Sequence, residues 1–180
     1  MADKSQDAVA LLKADHRKVE ELFEKFESAK GGNRKKYLAT QICTELTVHS
    51  MIEEEIFYPA CKGEVEEEML DEAYVEHDGA KVLMAEIEAS DPDDHFYDAK
   101  VKVLAEMIKH HVKEEEKRSE GLFAQAKEAG LDVDDLGERM QTRKKELTAQ
   151  IKSEGLPAPE TRSFTGHTLV QSTPIESEAA

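Results

Sequence analysis

Hydrophobic and polar residues alternate with a helical period along most of the chain. In the first segment, from about Ser5 to Lys30, the inward positions are spaced alternately three and four residues apart. That spacing is typical of a helix that buries one stripe of its surface. The stripe consists of Val9, Leu12, His16, Val19, Phe23 and Phe26. The glycines of the GGN sequence at 31–33 predict the end of this helix.

Three further segments have the same period. They run from about 34 to 61, from about 64 to 89 and from about 93 to 129. Their stripes are Leu38, Ile42, Glu45, His49, Glu53, Ile56 and Ala60 in the second segment, Leu70, Ala73, His77, Ala80, Met84 and Ile87 in the third, and Val101, Leu104, Ile108, His111, Glu115, Leu122 and Ala126 in the fourth. We expect Gly121 to weaken the fourth helix without ending it, and Gly130 to be its stop.

Four long helices joined by short turns run antiparallel to their neighbours. The sequence therefore predicts an all-α fold, an up-down-up-down antiparallel four-helix bundle over residues 1–130. A fifth, shorter helix is predicted within 131–154, either as a cover on the bundle or as a dimer contact. Residues 155–180 are rich in Pro, Ser and Thr and have no period, so a flexible tail is expected there.

Charge and composition exclude several classes of protein. The net charge of −16 disfavours binding to nucleic acids. No segment approaches the roughly 20 apolar residues that span a bilayer, so no membrane partner is expected. The N-terminus has no secretory signal, which favours the cytoplasm. Cys43 and Cys61 are too far apart on one helix, about 27 Å, to form a disulfide, which agrees with a reducing compartment.

Each of the four predicted helices has one histidine on its inward stripe. These are His16, His49, His77 and His111. Their distances from the predicted turns differ by less than about 6 Å along the axis within the first and last helix pairs. His49 and His111 are each followed four residues later by a glutamate, on the same helix face. Four imidazoles and the carboxylates of Glu53 and Glu115 are therefore expected in one layer.

A metal ion would explain such a layer, because burying that many polar groups without a shared partner is costly. Ligands with nitrogen and oxygen atoms suit iron, manganese or zinc. Two carboxylates that can bridge make two ions feasible, with coordination positions left open for a small molecule. The alternative is a metal-free protein with buried, hydrogen-bonded histidines, since glutamate is so abundant that His-x-x-x-Glu alone is weak evidence.

Five other residues are secondary candidates for the same layer. They are Asp15, Glu20, Tyr74, Glu76 and His110. Glu20 and Tyr74 could add oxygen ligands, but a solvated glutamate and a packed tyrosine are expected. Asp15 and Glu76 are expected mainly to face solvent, with orientation of a histidine as the alternative. His110 competes with His111 but lies one position off the stripe.

The ordered set of motifs resembles the hemerythrin-like HHE cation-binding domain. The sequences DHRKVEELF at 15–23, HSMIEEEIFYP at 49–59, EHDGAKVLMAEI at 76–87 and HHVKEEE at 110–116 are similar to that family, and the resemblance covers about residues 5–130. It implies a four-helix bundle that holds a non-heme di-iron centre. The implied ligands are His16, His49, Glu53, His77, His111 and Glu115, with the two carboxylates bridging.

The chain differs from the oxygen-carrying hemerythrins at two places. The carriers have a His-x-x-x-His pair on the third helix, where this chain has Ala73 and Lys81 four residues either side of His77. They also have an aspartate five residues after the fourth-helix histidine, where this chain has Glu116. Reversible oxygen carriage is therefore not expected.

The resemblance instead implies a di-iron protein that binds or reacts with oxygen, nitric oxide or a peroxide, in sensing or in a stress response. One alternative is an enzyme that uses the same centre on peroxide or nitric oxide, or that repairs iron centres. Another is a metal-free, acidic helical interaction protein. Manganese or zinc could replace iron. A monomer or a weak homodimer is expected.

Overall fold

The fold is all-α, as the sequence predicts. The computed structural model describes residues 6–164 together with 166, 170 and 172, and these residues contain helices and no strand. The helices are α1 (Ala8–Ser28), α2 (Gly32–Ile52), α3 (Tyr58–Cys61), α4 (Glu67–Ala89), α5 (Tyr97–Glu116), α6 (Leu122–Glu128) and α7 (Val133–Glu154), and a π-helical turn at Glu53–Phe57 joins α2 to α3. None of the described helices is long and apolar enough to cross a membrane.

The long helices α1, α2, α4 and α5 form the predicted four-helix bundle. Helix α2 contacts α1 and α4, and α5 contacts α4 and α1, so the four helices close into a ring. Asp7 begins α1 by accepting a hydrogen bond from the backbone N–H of Ala10 at 2.8 Å. Gly31, at φ +84°, provides the left-handed backbone that the tight turn into α2 requires.

A layer of polar side chains divides the interior of the bundle into two apolar cores. One core is formed by side chains such as Val19, Leu38 and Leu104, towards the turns that join α1 to α2 and α4 to α5. The other contains Leu12, Phe57 and Leu122 and is continued by α6 and α7. The buried polar residues between them are Asp15, His16, His49, Ser50, Glu53, Glu54, His77, Asp78, His111 and Glu115.

The helix that begins at Gly32 continues to Cys61 through the π-helical turn. The backbone N–H of Tyr58 bonds the carbonyl of Glu53, five residues back rather than four. Pro59 gives the physical reason, because it has no N–H for the carbonyl of Glu55 and its ring would clash with that carbonyl in an α-helix. The wider turn places Tyr58 on the same face as Glu53.

The predicted fourth helix is interrupted, contrary to the expectation that it runs to residue 129. Helix α5 ends at Glu116, and the chain turns back before α6 begins at Leu122. At Gly121 a Cβ atom would lie only 2.5 Å from the carbonyl oxygen of Glu115 and 2.6 Å from the backbone nitrogen of Lys117. Only glycine allows this close approach of the two backbones. The turn brings Phe123 under the polar layer.

Helix α7 packs on the outside of the bundle against α1, α2 and the π-helical turn. Arg143 on α7 donates to both carboxylate oxygens of Glu55, at 2.6 and 3.1 Å, and Lys144 forms an ion pair with Asp15. Helix α7 therefore covers one side of the bundle. The division of the chain at residues 130 and 154 stays a prediction.

Residues 156–163, which we call the C-terminal strap, lie along α2 and α4. Leu156 packs against the apolar core, and the backbone N–H groups of Arg162 and Ser163 donate to Asp78 at 2.8 and 2.6 Å. The prediction of a flexible tail did not anticipate these contacts, because a buried carboxylate on another helix holds the strap. The rest of that tail, at 165, 167–169, 171 and 173–180, lies outside the described residues.

Candidate metal centre

The four stripe histidines meet in the polar layer as two pairs. The Nε2 atoms of His16 and His49 are 3.2 Å apart, and those of His77 and His111 are also 3.2 Å apart. Two nitrogens that bind one ion at about 2.1 Å are separated by roughly 3.0 to 3.4 Å. Both pairs therefore have the spacing of ligands on a common metal ion.

Two glutamates span the histidine pairs. One carboxylate oxygen of Glu53, Oε2, lies 3.1 Å from Nε2 of His49 and 3.4 Å from Nε2 of His77. Glu115 has Oε2 at 3.3 Å from Nε2 of His16 and Oε1 at 3.5 Å from Nε2 of His111. Each carboxylate thus lies between a histidine of one pair and a histidine of the other, which is the position of a bridging ligand.

The six residues that the sequence predicts as ligands are therefore all brought together. One group that could hold an ion is His16, His49, Glu53 and Glu115, and a second is Glu53, His77 and His111, with the ligand atoms of each group within 4.8 Å of one another. All six side chains are buried. Within residues 6–164, Oε1 of Glu53 and Oε2 of Glu115 have no hydrogen-bond donor. Buried carboxylate oxygens without donors fit a centre that binds cations.

Each histidine also has an acidic residue at its outward nitrogen, Nδ1. The partners are Glu116 for His16 at 2.7 Å, Asp15 for His49 at 3.7 Å, Glu54 for His77 at 3.0 Å and Glu76 for His111 at 2.7 Å. Such partners fix the ring orientation and leave Nε2 free to bind a metal.

These outer carboxylates were only partly predicted. Asp15 and Glu76 were expected mainly to face solvent, but Asp15 is buried and Glu76 bonds His111. Asp15 and Glu76 each face a histidine of a neighbouring helix. The pattern within a single helix does not show such a contact. Glu54 and Glu116 were not identified as histidine partners. Each directly follows a predicted ligand glutamate in the sequence, and this adjacency could have identified both residues as candidates.

The acidic residues favour positive charge in this layer. Burial lowers the pKa of His49, but the negative charge of Glu53 and the contact with Asp15 outweigh it and raise the pKa to about 10. Burial also lowers the pKa of His77, while Glu53 and Glu54 raise it to about 9. Burial raises the pKa of Glu53, yet His49 holds it well below the usual range. The same negative field would also favour a bound metal cation.

Tyr58 is a residue of the centre that the sequence did not reveal. Its hydroxyl lies 3.0 Å from Oε1 of Glu115, 3.4 Å from Oε2 of Glu53 and 3.3 Å from Nε2 of His77. Burial and the charge of Glu115 raise the pKa of this phenol well above its usual value, so it stays a hydrogen-bond donor. Tyr58 lies five residues after Glu53, and residues with that spacing do not share a face of an α-helix. A search for partners three or four residues apart therefore misses Tyr58.

The other secondary candidates lie outside the centre. Glu20 is exposed and pairs with Arg17 at 3.0 Å, as expected for a solvated glutamate. Tyr74 is half-buried and packs edge-on against the ring of Tyr58, with centroids 5.3 Å apart. His110 is exposed, whereas His111 is buried, which agrees with the choice of His111.

A small cavity of about 20 Å³ lies against the histidine layer, on the side away from Tyr58. Besides the four histidines, its walls include the apolar side chains of Val19, Leu46, Ala80, Met84 and Ile108. On the other side, the ring of Phe123 stacks on His16 with centroids 5.8 Å apart. The cavity has room for about one molecule the size of water.

Comparison with known proteins identifies the family. The family model of the Hemerythrin HHE cation binding domain matches residues 7–123. A DNA nickase of Nostoc sp. strain PCC 7120 is 30% identical over 106 residues, which cover 59% of this chain but only 30% of that protein. The crystal structure of a hemerythrin HHE cation binding domain-containing protein from Mycobacterium kansasii, an Rv2633c homolog, superposes with a TM-score of 0.70 at 20% identity, over 84% of this chain and 95% of that one. The chain belongs to the hemerythrin HHE cation-binding domain family.

Proposed function

We propose that this protein holds two iron ions and that the pair binds or reacts with a small ligand, namely oxygen, nitric oxide or a peroxide. The observation that supports it best is the pairing of the histidines. Two histidine pairs, each at 3.2 Å, are linked by two glutamates that each face both pairs. His16 and His49 would hold one ion, His77 and His111 the other, and Glu53 and Glu115 would bridge them.

The ligand atoms are compatible with iron. Both groups consist of imidazole nitrogens and carboxylate oxygens, which suit iron, manganese or zinc and exclude a sulfur-bound site. Two histidines and two bridging carboxylates would give each ion about four protein ligands, which leaves coordination positions open on each. An iron pair, when bound, supplies one- and two-electron chemistry towards oxygen, peroxide and nitric oxide.

The residues around the centre define what can reach it. The small cavity has mainly apolar walls and about 20 Å³ of space, which suits a diatomic molecule and excludes larger substrates. Phe123 stacks on His16, and an apolar core lies on either side of the histidine layer. The hydroxyl of Tyr58 holds a proton 3.0 Å from Glu115 and can donate a hydrogen bond at the centre. The apolar walls of the small cavity, on the opposite side of the histidines from this hydroxyl, fit a small neutral ligand.

Metal analysis tests this proposal. We expect close to two irons per chain in protein purified after growth in iron-rich medium, and loss of that iron in the double variant His49→Ala, His111→Ala. The matched control is His110→Ala, because His110 neighbours His111 but is exposed. Absence of metal from the wild type after iron supplementation would refute the proposal and favour the metal-free interaction protein.

Adding oxygen to the anaerobic ferrous protein distinguishes carriage from reaction. Because Ala73 and Lys81 stand where carriers have a histidine, we expect irreversible oxidation. Recovery of the ferrous spectrum on degassing would instead indicate a carrier. Turnover of peroxide or nitric oxide by the iron-loaded protein would distinguish an enzyme from a sensor.

The nicking activity in the name of the Nostoc protein is not part of this proposal. The chain spans less than a third of that protein, and its net charge of −16 disfavours DNA as a partner. We propose a cytoplasmic location and a monomer or weak homodimer, supported by the two free cysteines and the compact single bundle.

A further inference from the structure

A second, larger cavity lies beside the metal centre. Its volume is about 320 Å³, and it is enclosed by α2, α4 and the C-terminal strap. The strap contributes Leu156, Pro157, Ala158 and Pro159 to its outer wall, while Cys43, Met51 and Ala85 are on the helical side. This cavity is much larger than the small one against the histidines, so it has room for several small molecules.

The outer wall of this strap cavity is anchored at several points. Lys81 donates to the backbone carbonyl of Glu160 at 3.1 Å, and Arg162 donates to Oε2 of Glu54 at 2.8 Å. The carboxylate of Asp78 accepts from two backbone N–H groups and from the hydroxyl of Ser163. The strap is therefore held by specific partners on α4 and on the π-helical turn.

The strap cavity and the small cavity have two lining residues in common, Ser50 and Met84. Both are buried. The hydroxyl of Ser50 donates to the carbonyl of Thr47 at 3.2 Å, so it is already satisfied within its own helix. The side chain of Met84 is unbranched and changes rotamer easily. One small and one adaptable side chain therefore lie between the two cavities.

We propose that the small ligand reaches the metal centre through the strap cavity, past Met84 and Ser50. This inference rests on the proposed function, because it assumes a ligand for the centre. The ligand class is a neutral diatomic molecule such as oxygen or nitric oxide. The strap cavity is lined by the basic residues Lys81 and Arg162 and by four acidic residues, Glu54, Glu55, Glu88 and Glu160, so acidic residues outnumber basic ones and disfavour anions. The strap is the outer wall of the route and Met84 is its narrowest point.

Xenon tests the route in metal-free protein, because it enters apolar cavities and needs no metal. We expect xenon pressure to shift the NMR signals of the methionine methyl groups of Met84 and Met51. The methyl groups of Met107 and Met140 serve as internal controls, since both lie outside the two cavities. Shifts at Met84 and Met51 alone would support the route. No shift at either residue would overturn it.

Stopped-flow binding of nitric oxide to the iron-loaded protein tests passage. Met84→Phe narrows the space between the two cavities, and Ala85→Trp fills the strap cavity from its helical side. We expect each to slow association at least about tenfold, equal to about 1.4 kcal/mol in the barrier. Met107→Phe is the matched control and should leave the rate unchanged. Wild-type rates in both route variants, with metal content and melting temperature unchanged, would overturn the route.

These measurements separate the two proposals. Failure of the proposed function would appear as a wild-type protein without metal, whatever the xenon result. Failure of the route alone would appear as a metal-loaded protein that binds nitric oxide equally fast in the wild type, Met84→Phe and Ala85→Trp.

Discussion

Replacing Glu54 should weaken metal binding although this residue does not itself face the proposed ions. Its Oε1 accepts from Nδ1 of His77 at 3.0 Å and from Lys81 at 2.7 Å, while its Oε2 accepts from Arg162 at 2.8 Å. Glu54 is 7% exposed, so water cannot substitute well for it. Loss of its charge leaves the imidazole of His77 less well oriented and less basic as a ligand.

The size of the effect follows from the kind of hydrogen bond that is lost. A hydrogen bond to a charged group contributes about 1.5–3 kcal/mol and a neutral one about 0.5–1.5 kcal/mol. Glu54→Gln keeps an acceptor but removes the charge, so we expect a loss of about 1.4 kcal/mol, or roughly tenfold in affinity. Glu54→Ala removes the acceptor as well, and the loss should approach about 100-fold.

Anaerobic competition between the protein and a chelator for ferrous iron measures this affinity. The matched control is Glu55→Gln, one residue further along the same π-helical turn. Glu55 is exposed and pairs with Arg143 on α7 rather than with a histidine. Arg162→Gln serves as a second control, because it removes the contact of Glu54 with the strap and leaves the contact with His77.

Two results would refute this reasoning. Wild-type affinity in Glu54→Ala, in a folded protein, would show that the orientation of His77 does not depend on this carboxylate. An equal loss in Glu55→Gln would show that the variants act through general negative charge near the centre rather than through the hydrogen bond to Nδ1.

Three further predictions concern stability and thiol reactivity. Gly121→Ala should lower the free energy of unfolding by about 1–3 kcal/mol, because the new Cβ would meet backbone atoms at 2.5 to 2.7 Å, and denaturant unfolding measures it. Leu104→Ala should cost about 2–5 kcal/mol by the same assay, since Leu104 is fully buried in the core. Burial raises the pKa of both Cys43 and Cys61 to about 12, so at pH 8 their thiolates are scarce and alkylation should be more than about a thousandfold slower than in urea. With pKa values raised above those of the unfolded chain, these thiols should also make stability fall as the pH rises above about 9.

The two substitutions and the alkylation each have an outcome that contradicts the prediction. Gly79→Ala is the control for Gly121, because its Cβ would meet only the flexible end of Met107 at 3.0 Å and the helix would gain a better helix former. Equal stability of the two variants would contradict the crowding argument. A loss below about 1 kcal/mol in Leu104→Ala would show that the core collapses around the deletion. Rapid alkylation of the folded chain would mean that the thiols are reached by local opening.

The positions of the candidate ligand histidines could be predicted from the sequence because one period governs them. His16, His49, His77 and His111 occupy the stripe that a 3.6-residue helix buries, and counting from the turns places them at one height. The positions of the residues that the sequence did not reveal do not depend on this period. Glu54 and Glu116 contact histidines of other helices, and that pairing depends on how the helices are rotated against each other. The interruption after α5 depends on the contact of Gly121 with the backbone of Glu115, which has no periodic signature.

The π-helical turn makes the centre sensitive to chain length as well as to residue identity. Each residue advances an α-helix by about 100° around its axis, so one residue fewer in Glu53–Phe57 would rotate everything that follows by that angle. Such a deletion would keep the four histidines, Glu53, Glu115 and Tyr58 in the chain, yet it would turn the side chain of Tyr58 away from Glu115. Among relatives that lack this extra residue, a tyrosine aligned without a gap would therefore occupy a different place in space.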